Sequence, residues 1–395
     1  MTSTLIAVYV VLFGFALILV TCTLLIVSWK LRRQLQSLLD RAARRELAGL
    51  PSAVVLNQVS PRAPRGGRRR RVARELVVEA TVALAGPSRV RAVHWLEENG
   101  YVADAIRILA RGANRSWRRA EAAALLGRMG SRLAAPALAR GLRDGRYRVR
   151  DACATALGRV ATGLEVGILI DAVERRRVPR GILSGALLNL DPSADPALIA
   201  CLTHTDPTVR DLTARVLGMR RSASAIPALM NAVDDPEPSV RRHAILALAE
   251  IAGSTDMDVA PEPLFRLAVD DAAIVRAAAA TGLGQILGDA AGRVLTSMTR
   301  DPDYWVSYRA AESLCRLPSG DELGWRVLCD LDDTPGGARA KAASLEWLER
   351  TGGLERRVAR VLARRDDAGL IATLGVLEGV GSRAWGELLT EGAVA

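Results

Sequence analysis

RVRDACATALGRV from Arg148, TVRDLTARVLGMR from Thr208, SVRRHAILALAEI from Ser239 and IVRAAAATGLGQI from Ile274 are four variants of one phrase. Each opens on Val-Arg and continues with small and aliphatic residues at helical spacing. In the first, Val149, Cys153, Ala156, Leu157 and Val160 fall on one face, the stripe a helix needs to bury itself against neighbours. The alanines on that stripe allow close stacking. A phrase recurring at fixed spacing signals stacked supersecondary units, each too small to bury its own apolar face.

Working outward, weaker copies fill the intervals. The Arg of the pair, or its equivalent, falls at Arg91, Arg118, Arg150, Arg180, Arg210, Arg241, Arg276, Ser307 and Arg339, with a tenth degenerate position near Ile371, at a period of about 31 residues. Before each phrase lies a second, shorter helical pattern such as residues 135–144, so one repeat is a helical hairpin. Asp206-Pro207, Asp235-Pro236 and Asp301-Pro302 each set a capping carboxylate before a proline suited to a first helical turn, which places helix starts at all three. No strand-period alternation interrupts this half of the chain.

The pattern D-x-x-V-R-x-x-A-x-x-A-L-G resembles the short bacterial HEAT repeat, also found in phycobilin lyases, over roughly residues 75–390. The resemblance implies an all-α, right-handed α-solenoid of about nine to ten HEAT-like hairpins. It also implies a structural ladder between neighbouring repeats, carried by Asp144, Arg150, Asp206, Arg210, Asp235, Arg241, Asp271 and Arg276. Among anchored bacterial proteins that look similar, the implied client is an envelope-polysaccharide glycosyltransferase.

Upstream, residues 5–27 are uncharged and apolar, long enough at about 1.5 Å per residue to cross a bilayer of about 30 Å. Lys30, Arg32 and Arg33 follow, so the expectation is one transmembrane helix in the inner membrane, N-terminus outside and solenoid cytoplasmic. Residues 1–29 then form the anchor, 30–47 a basic amphipathic juxtamembrane helix, 48–74 a disordered Arg/Pro/Gly linker and 75–395 the repeats. Residues 30–74 hold 13 basic and 2 acidic side chains, the whole of the chain's net charge of +11. Beside an anchor, Arg68, Arg69, Arg70 and Arg71 read as a tether to anionic lipid headgroups, with nucleic acid a weaker reading. Beyond them residues 75–180 carry 19 basic and 11 acidic side chains, and residues 181–395 carry 22 and 30.

Chemistry is sparsely provided for. Five separated cysteines form no CxxC pair, and His94, His204 and His243 have no partner at metal-ligand spacing, so no catalytic, cofactor or metal residues are expected. Trp117, in a basic stretch, occupies the slot that Val149, Val209 and Val240 fill elsewhere, which makes it a packing residue. The expected function is a scaffold that holds a membrane-associated protein partner. A lyase or other enzyme on the same fold is the alternative and a nucleic-acid binder the third reading; no small-molecule substrate is expected. Arg159, Arg215, Arg242, Glu250 and Gln285, polar positions on second helices, are the candidate partner contacts.

Overall fold

The computed structural model describes residues 2–56, 61–111, 115–253, 262–286, 291–330, 335–363, 371–373 and 375–376. Among these there are helices and turns but no strand. The chain divides into two compact units, Met1–Val160 and Ala161–Ala395.

The first unit begins with α1 (Thr2–Glu46), α2 (Leu50–Leu56), α3 (Gly67–Ala83) and α4 (Gly86–Glu98). It continues with α5 (Tyr101–Ala110), α6 (Ser116–Met129), α7 (Ala135–Gly141) and α8 (Tyr147–Val160). The expected single-pass membrane location is corrected here: among the described residues no helix is long and apolar enough to cross a membrane. The apolar run is the front of one 45-residue helix that continues unbroken into the basic segment. The side chains of residues 5–13 and of Ala16 lie outside the described ones.

Residues 48–74, expected as a disordered linker, contain α2 and the start of α3; residues 57–60 lie outside the described ones. The arginine run is tied down within its own unit. Arg68 and Arg71 pair with Asp40, Arg69 with Glu46 and Arg70 with Asp104. Arg70 also donates to the Asn99 carbonyl at 2.8 Å and lies 4.5 Å over the Tyr101 ring. A low-hydropathy segment can therefore fold when carboxylates from α1 and α5 meet its charge and Val72, Ala73, Val77 and Val78 supply a buried stripe.

The second unit runs α9 (Val166–Glu174), α10 (Arg180–Leu188), α11 (Asp195–Ala200), α12 (Pro207–Met219), α13 (Ile226–Ala232), α14 (Pro238–Ala252), α15 (Glu262–Leu267) and α16 (Ala273–Ile286). It goes on through α17 (Gly292–Met298), α18 (Tyr304–Arg316), α19 (Gly320–Asp330), α20 (Pro335–Thr351) and α21 (Gly353–Ala363). The second helices α10, α12, α14, α16, α18 and α20 pack on one another in chain order, and α11, α13, α15, α17 and α19 each pack on the second helix that follows. That is a two-layer stack of hairpins. Leu183, Leu187, Leu198, Leu217, Leu229 and Ile245 are fully buried between the layers, each worth about 1.5–3 kcal/mol of apolar burial.

The glycine that closes the A-L-G phrase has a steric role. A Cβ on Gly218 would lie 2.7 Å from the Ala247 Cα in the next second helix, and one on Gly127 would lie 2.7 Å from the Ala156 Cα. Second helices approach backbone to backbone at these points, which any side chain would hold apart.

The three Asp-Pro dipeptides do not all begin helices. Asp206 caps α12, accepting from the Thr208 amide at 2.8 Å, and Pro207 opens the helix. By contrast α14 starts at Pro238 and α18 at Tyr304, two residues beyond Pro236 and Pro302. Asp235 and Asp301 sit one step earlier, in the turn, where their carboxylates are available to a neighbouring repeat.

Candidate functional site

Each ladder arginine lies three residues into its second helix and uses its whole guanidinium. Arg241 Nε and Nη2 donate to the two carboxylate oxygens of Asp270, both at 2.8 Å, while Nη1 donates back to the Asp235 and Pro236 carbonyls at 2.9 and 3.2 Å. Arg210 grips Asp235 at 2.7 and 2.8 Å and returns Nη1 to His204 and Thr205. Arg276 grips Asp301 at 2.7 and 3.0 Å and returns Nη1 to Asp270 and Asp271. In the first unit Arg119 grips Asp144 at 3.0 and 3.1 Å, and Arg150 donates to the Asp144 carbonyl. The planar fork matches two carboxylate oxygens at once, which an ammonium cannot do.

Every carboxylate in these rungs serves twice. Asp144, Asp235, Asp270 and Asp301 each accept the backbone N–H two residues on, from Arg146, Glu237, Ala272 and Asp303. Burial pushes the Asp235 and Asp270 carboxyls up, but the arginine forks, these amides and the second nearby guanidinium together hold both below the ordinary carboxylate range. Asp144 is lowered through the same opposition of burial and Arg119.

The expected ladder set therefore needs correction at several positions. Asp206 and Asp271 make no rung: Asp206 caps its own helix, and the carboxylate that receives Arg241 is Asp270. Arg180 opens α10 and reaches the Thr208 hydroxyl at 3.3 Å, while the ladder position three residues in is Leu183, fully buried. Its counterpart turn position is His204, whose Nδ1 accepts the Asp206 amide at 3.1 Å and whose Nε2 stands 3.3 Å from Glu174. Between α10 and α12 arginine and aspartate are thus replaced together. Ser307, also at a ladder position, is buried and donates to carbonyls within its own helix.

Alignment at the second helix of the first unit is also off by one residue. The rung is formed by Arg119, not Arg118, and a one-residue shift turns a helical side chain by about 100°. Trp117 accordingly faces solvent at 58% exposure, with Arg118 5.2 Å over its ring, and is not a packing residue.

The candidate partner contacts Arg159, Arg215, Arg242, Glu250 and Gln285 are all exposed. Three share one register, nine residues after the ladder position: Arg159 in the first unit, Glu250 and Gln285 in the second. Arg128 completes that register in the first unit, and Met219 and Arg316 in the second, all exposed. The recurring exposed letter after A-L-G was the signal for them. Lys30, Arg32 and Arg33 are exposed on α1. Among the described residues no cluster of His, Cys, Asp and Glu could hold a metal ion.

Against known proteins, residues 196–273 match the family model described as HEAT repeats. No curated protein sequence matches the chain. Among solved structures, an engineered protein is 22% identical with a TM-score of 0.34, covering 79% of this chain and 96% of that one. The Escherichia coli protein YibA is 18% identical with a TM-score of 0.37, covering 69% and 96%. The complex of CpcE and CpcF of phycocyanin lyase from Nostoc sp. PCC7120 is 19% identical with a TM-score of 0.25, covering 73% and 98%. None of these three likenesses bears on what this chain does. The matched stretch 196–273 contains both the Arg210–Asp235 and the Arg241–Asp270 rungs, so the ladder and the HEAT-repeat match fall on the same helices.

Proposed function

We propose that the chain is a protein-binding scaffold and not a catalyst. The observation that supports this reading is the exposed register of Met219, Glu250, Gln285 and Arg316 on four second helices that pack consecutively. The ladder arginines spend their hydrogen bonds inside the stack, whereas this register presents side chains to solvent at every step. Such a row offers an extended surface to a partner without a pocket in which to close around a small substrate.

The test is chemical crosslinking and co-purification of the full-length protein from its own cells, followed by substitution of Met219→Glu, Glu250→Arg and Arg316→Glu together. Loss of the crosslinked partner with helical circular dichroism unchanged is the expected result. Retention of the partner by the triple variant removes this face from the proposal, and turnover of a small molecule by the purified chain alone removes the scaffold reading.

A further inference from the structure

We propose that a cleft in the first unit, between α5 and α6, binds an acidic, extended protein segment. The cleft has a volume of about 660 Å³ and receives Arg74 from α3, Arg111 and Arg115 from the ends of the α5–α6 connection, and Trp117 from the first turn of α6. Ile108 and Leu125 give it an apolar floor.

The guanidiniums here differ from those of the ladder. Those of the ladder are filled by carboxylates and carbonyls. Arg74, Arg111 and Arg115 make no ion pair and no side-chain hydrogen bond among the described residues, and the Arg74 Nε–H is buried without an acceptor. Two other charges of the lining are already spoken for. Asp104 pairs with Arg70 and Arg107, and Arg119 with Asp144. Four unpaired guanidiniums, those of Arg74, Arg111, Arg115 and, over the exposed Trp117 indole, Arg118, therefore line one concavity. Each fork suits the two oxygens of a carboxylate.

The lining favours a polypeptide over a phosphate polymer. Glu121 stands in the same cleft, where it would repel closely spaced phosphates but can accept a backbone N–H, a donor that a peptide has and a nucleic-acid backbone lacks. The apolar floor and Trp117 suit aliphatic or aromatic side chains set between the acidic ones, the combination of anchor and charge that gives a short segment both affinity and register. This surface is separate from the exposed row of the second unit.

The experiment is fluorescence anisotropy with the full-length protein and three labelled probes: a peptide alternating paired glutamates with single leucines, its lysine-for-glutamate counterpart, and a single-stranded oligonucleotide of the same formal charge as the acidic peptide. The acidic peptide is expected to bind tightest, and Arg111→Glu with Arg115→Glu to weaken it at least about tenfold, with helical ellipticity and melting temperature as in the wild type. Both arginines are exposed, so the double variant folds. Arg74→Gln, which removes the orphaned charge without adding one, is expected to weaken the same peptide. Equal binding of the acidic and lysine peptides, tighter binding of the oligonucleotide, or wild-type affinity in the double variant overturns the proposal. Glu250→Arg lies in the other unit and leaves this titration unchanged, so failure here is separable from failure of the scaffold reading.

Discussion

Replacing Arg241 with alanine tests whether the ladder holds the second unit together. The side chain is 16% exposed and its partner Asp270 9%, and the substitution removes two charge-assisted bonds across the repeat boundary and two more to the preceding turn. Truncating one member of a fully buried pair costs about 3–5 kcal/mol. The cost here is lower, because Asp270 keeps the Ala272 amide at 2.9 Å and gains water through the space left by the fork. About 2–3 kcal/mol is the expected loss, intermediate between buried and surface pairs. For a cooperative unit of this size that lowers the melting temperature by roughly 4–10 °C. The assay is thermal denaturation of the full-length protein followed at 222 nm, with Arg242→Ala beside it as an exposed neighbour expected to shift by less than about 1 °C. Arg241→Lys should recover only part of the loss, since an ammonium cannot bridge both oxygens. If Arg241→Ala melts with Arg242→Ala, the rungs are not what stabilises the stack.

Three further outcomes follow from the same geometry. Because the Asp144, Asp235 and Asp270 carboxyls are held below their unfolded value, the stability they contribute is present above roughly pH 4–5 and drains away as pH falls through the depressed values. Urea denaturation from pH 6 to pH 3 should therefore steepen in acid for the wild type and flatten for Asp270→Asn; parallel curves would contradict the assignment. Gly218→Ala should destabilise by about 1–3 kcal/mol in denaturant titration despite alanine's better helix propensity, since its Cβ meets the Ala247 backbone, and a stabilised variant would show that the helices can part without cost. Iodoacetamide at pH 8 should label exposed Cys22 and Cys329 in the native protein and spare Cys153 and Cys315, whose thiols burial pushes up to about 12 and about 11, with all five labelled in urea by mass spectrometry.

The hairpin architecture could be read from the recurring Val-Arg phrase because one face of each second helix must be apolar, and that demand repeats with the structure. Which carboxylate meets which arginine could not be read the same way. Asp206-Pro207 and Asp235-Pro236 are identical dipeptides, yet one begins a helix and the other precedes the start by a further Glu-Pro, a difference that only the second proline, Pro238, signals. Trp117 went astray for a related reason: Arg118 and Arg119 are adjacent and chemically alike, and only the distance to Asp144 decides which is the rung. The arginine run at residues 68–71 reads as a lipid tether in a disordered linker because the acids that meet it, Asp40, Glu46 and Asp104, lie about 20 to 35 residues away in sequence. At the N-terminus, absence of charge over a long run is only one requirement for crossing a bilayer, and among the described residues no helix is both long and apolar enough to do so.

The double duty of the turn aspartates has a mechanical consequence. Asp235 fixes the turn that starts α14 and simultaneously receives α12; Asp270 does the same for α16 and α14, and Asp301 for α18 and α16. Loosening one turn therefore releases its neighbour's fork, and the helices from α12 to α18 form a chain of dependent links. Upstream, Leu183 and His204 break the series of turn aspartates, and Arg220 at the end of α12 bridges to α10 instead, donating to the Leu187, Leu188 and Leu190 carbonyls and pairing with Asp195; downstream Ser307 ends the chain. Pulled from its ends or watched by amide hydrogen exchange, the second unit should not peel repeat by repeat. It should give way first beyond α18, while the linked block opens late and all together.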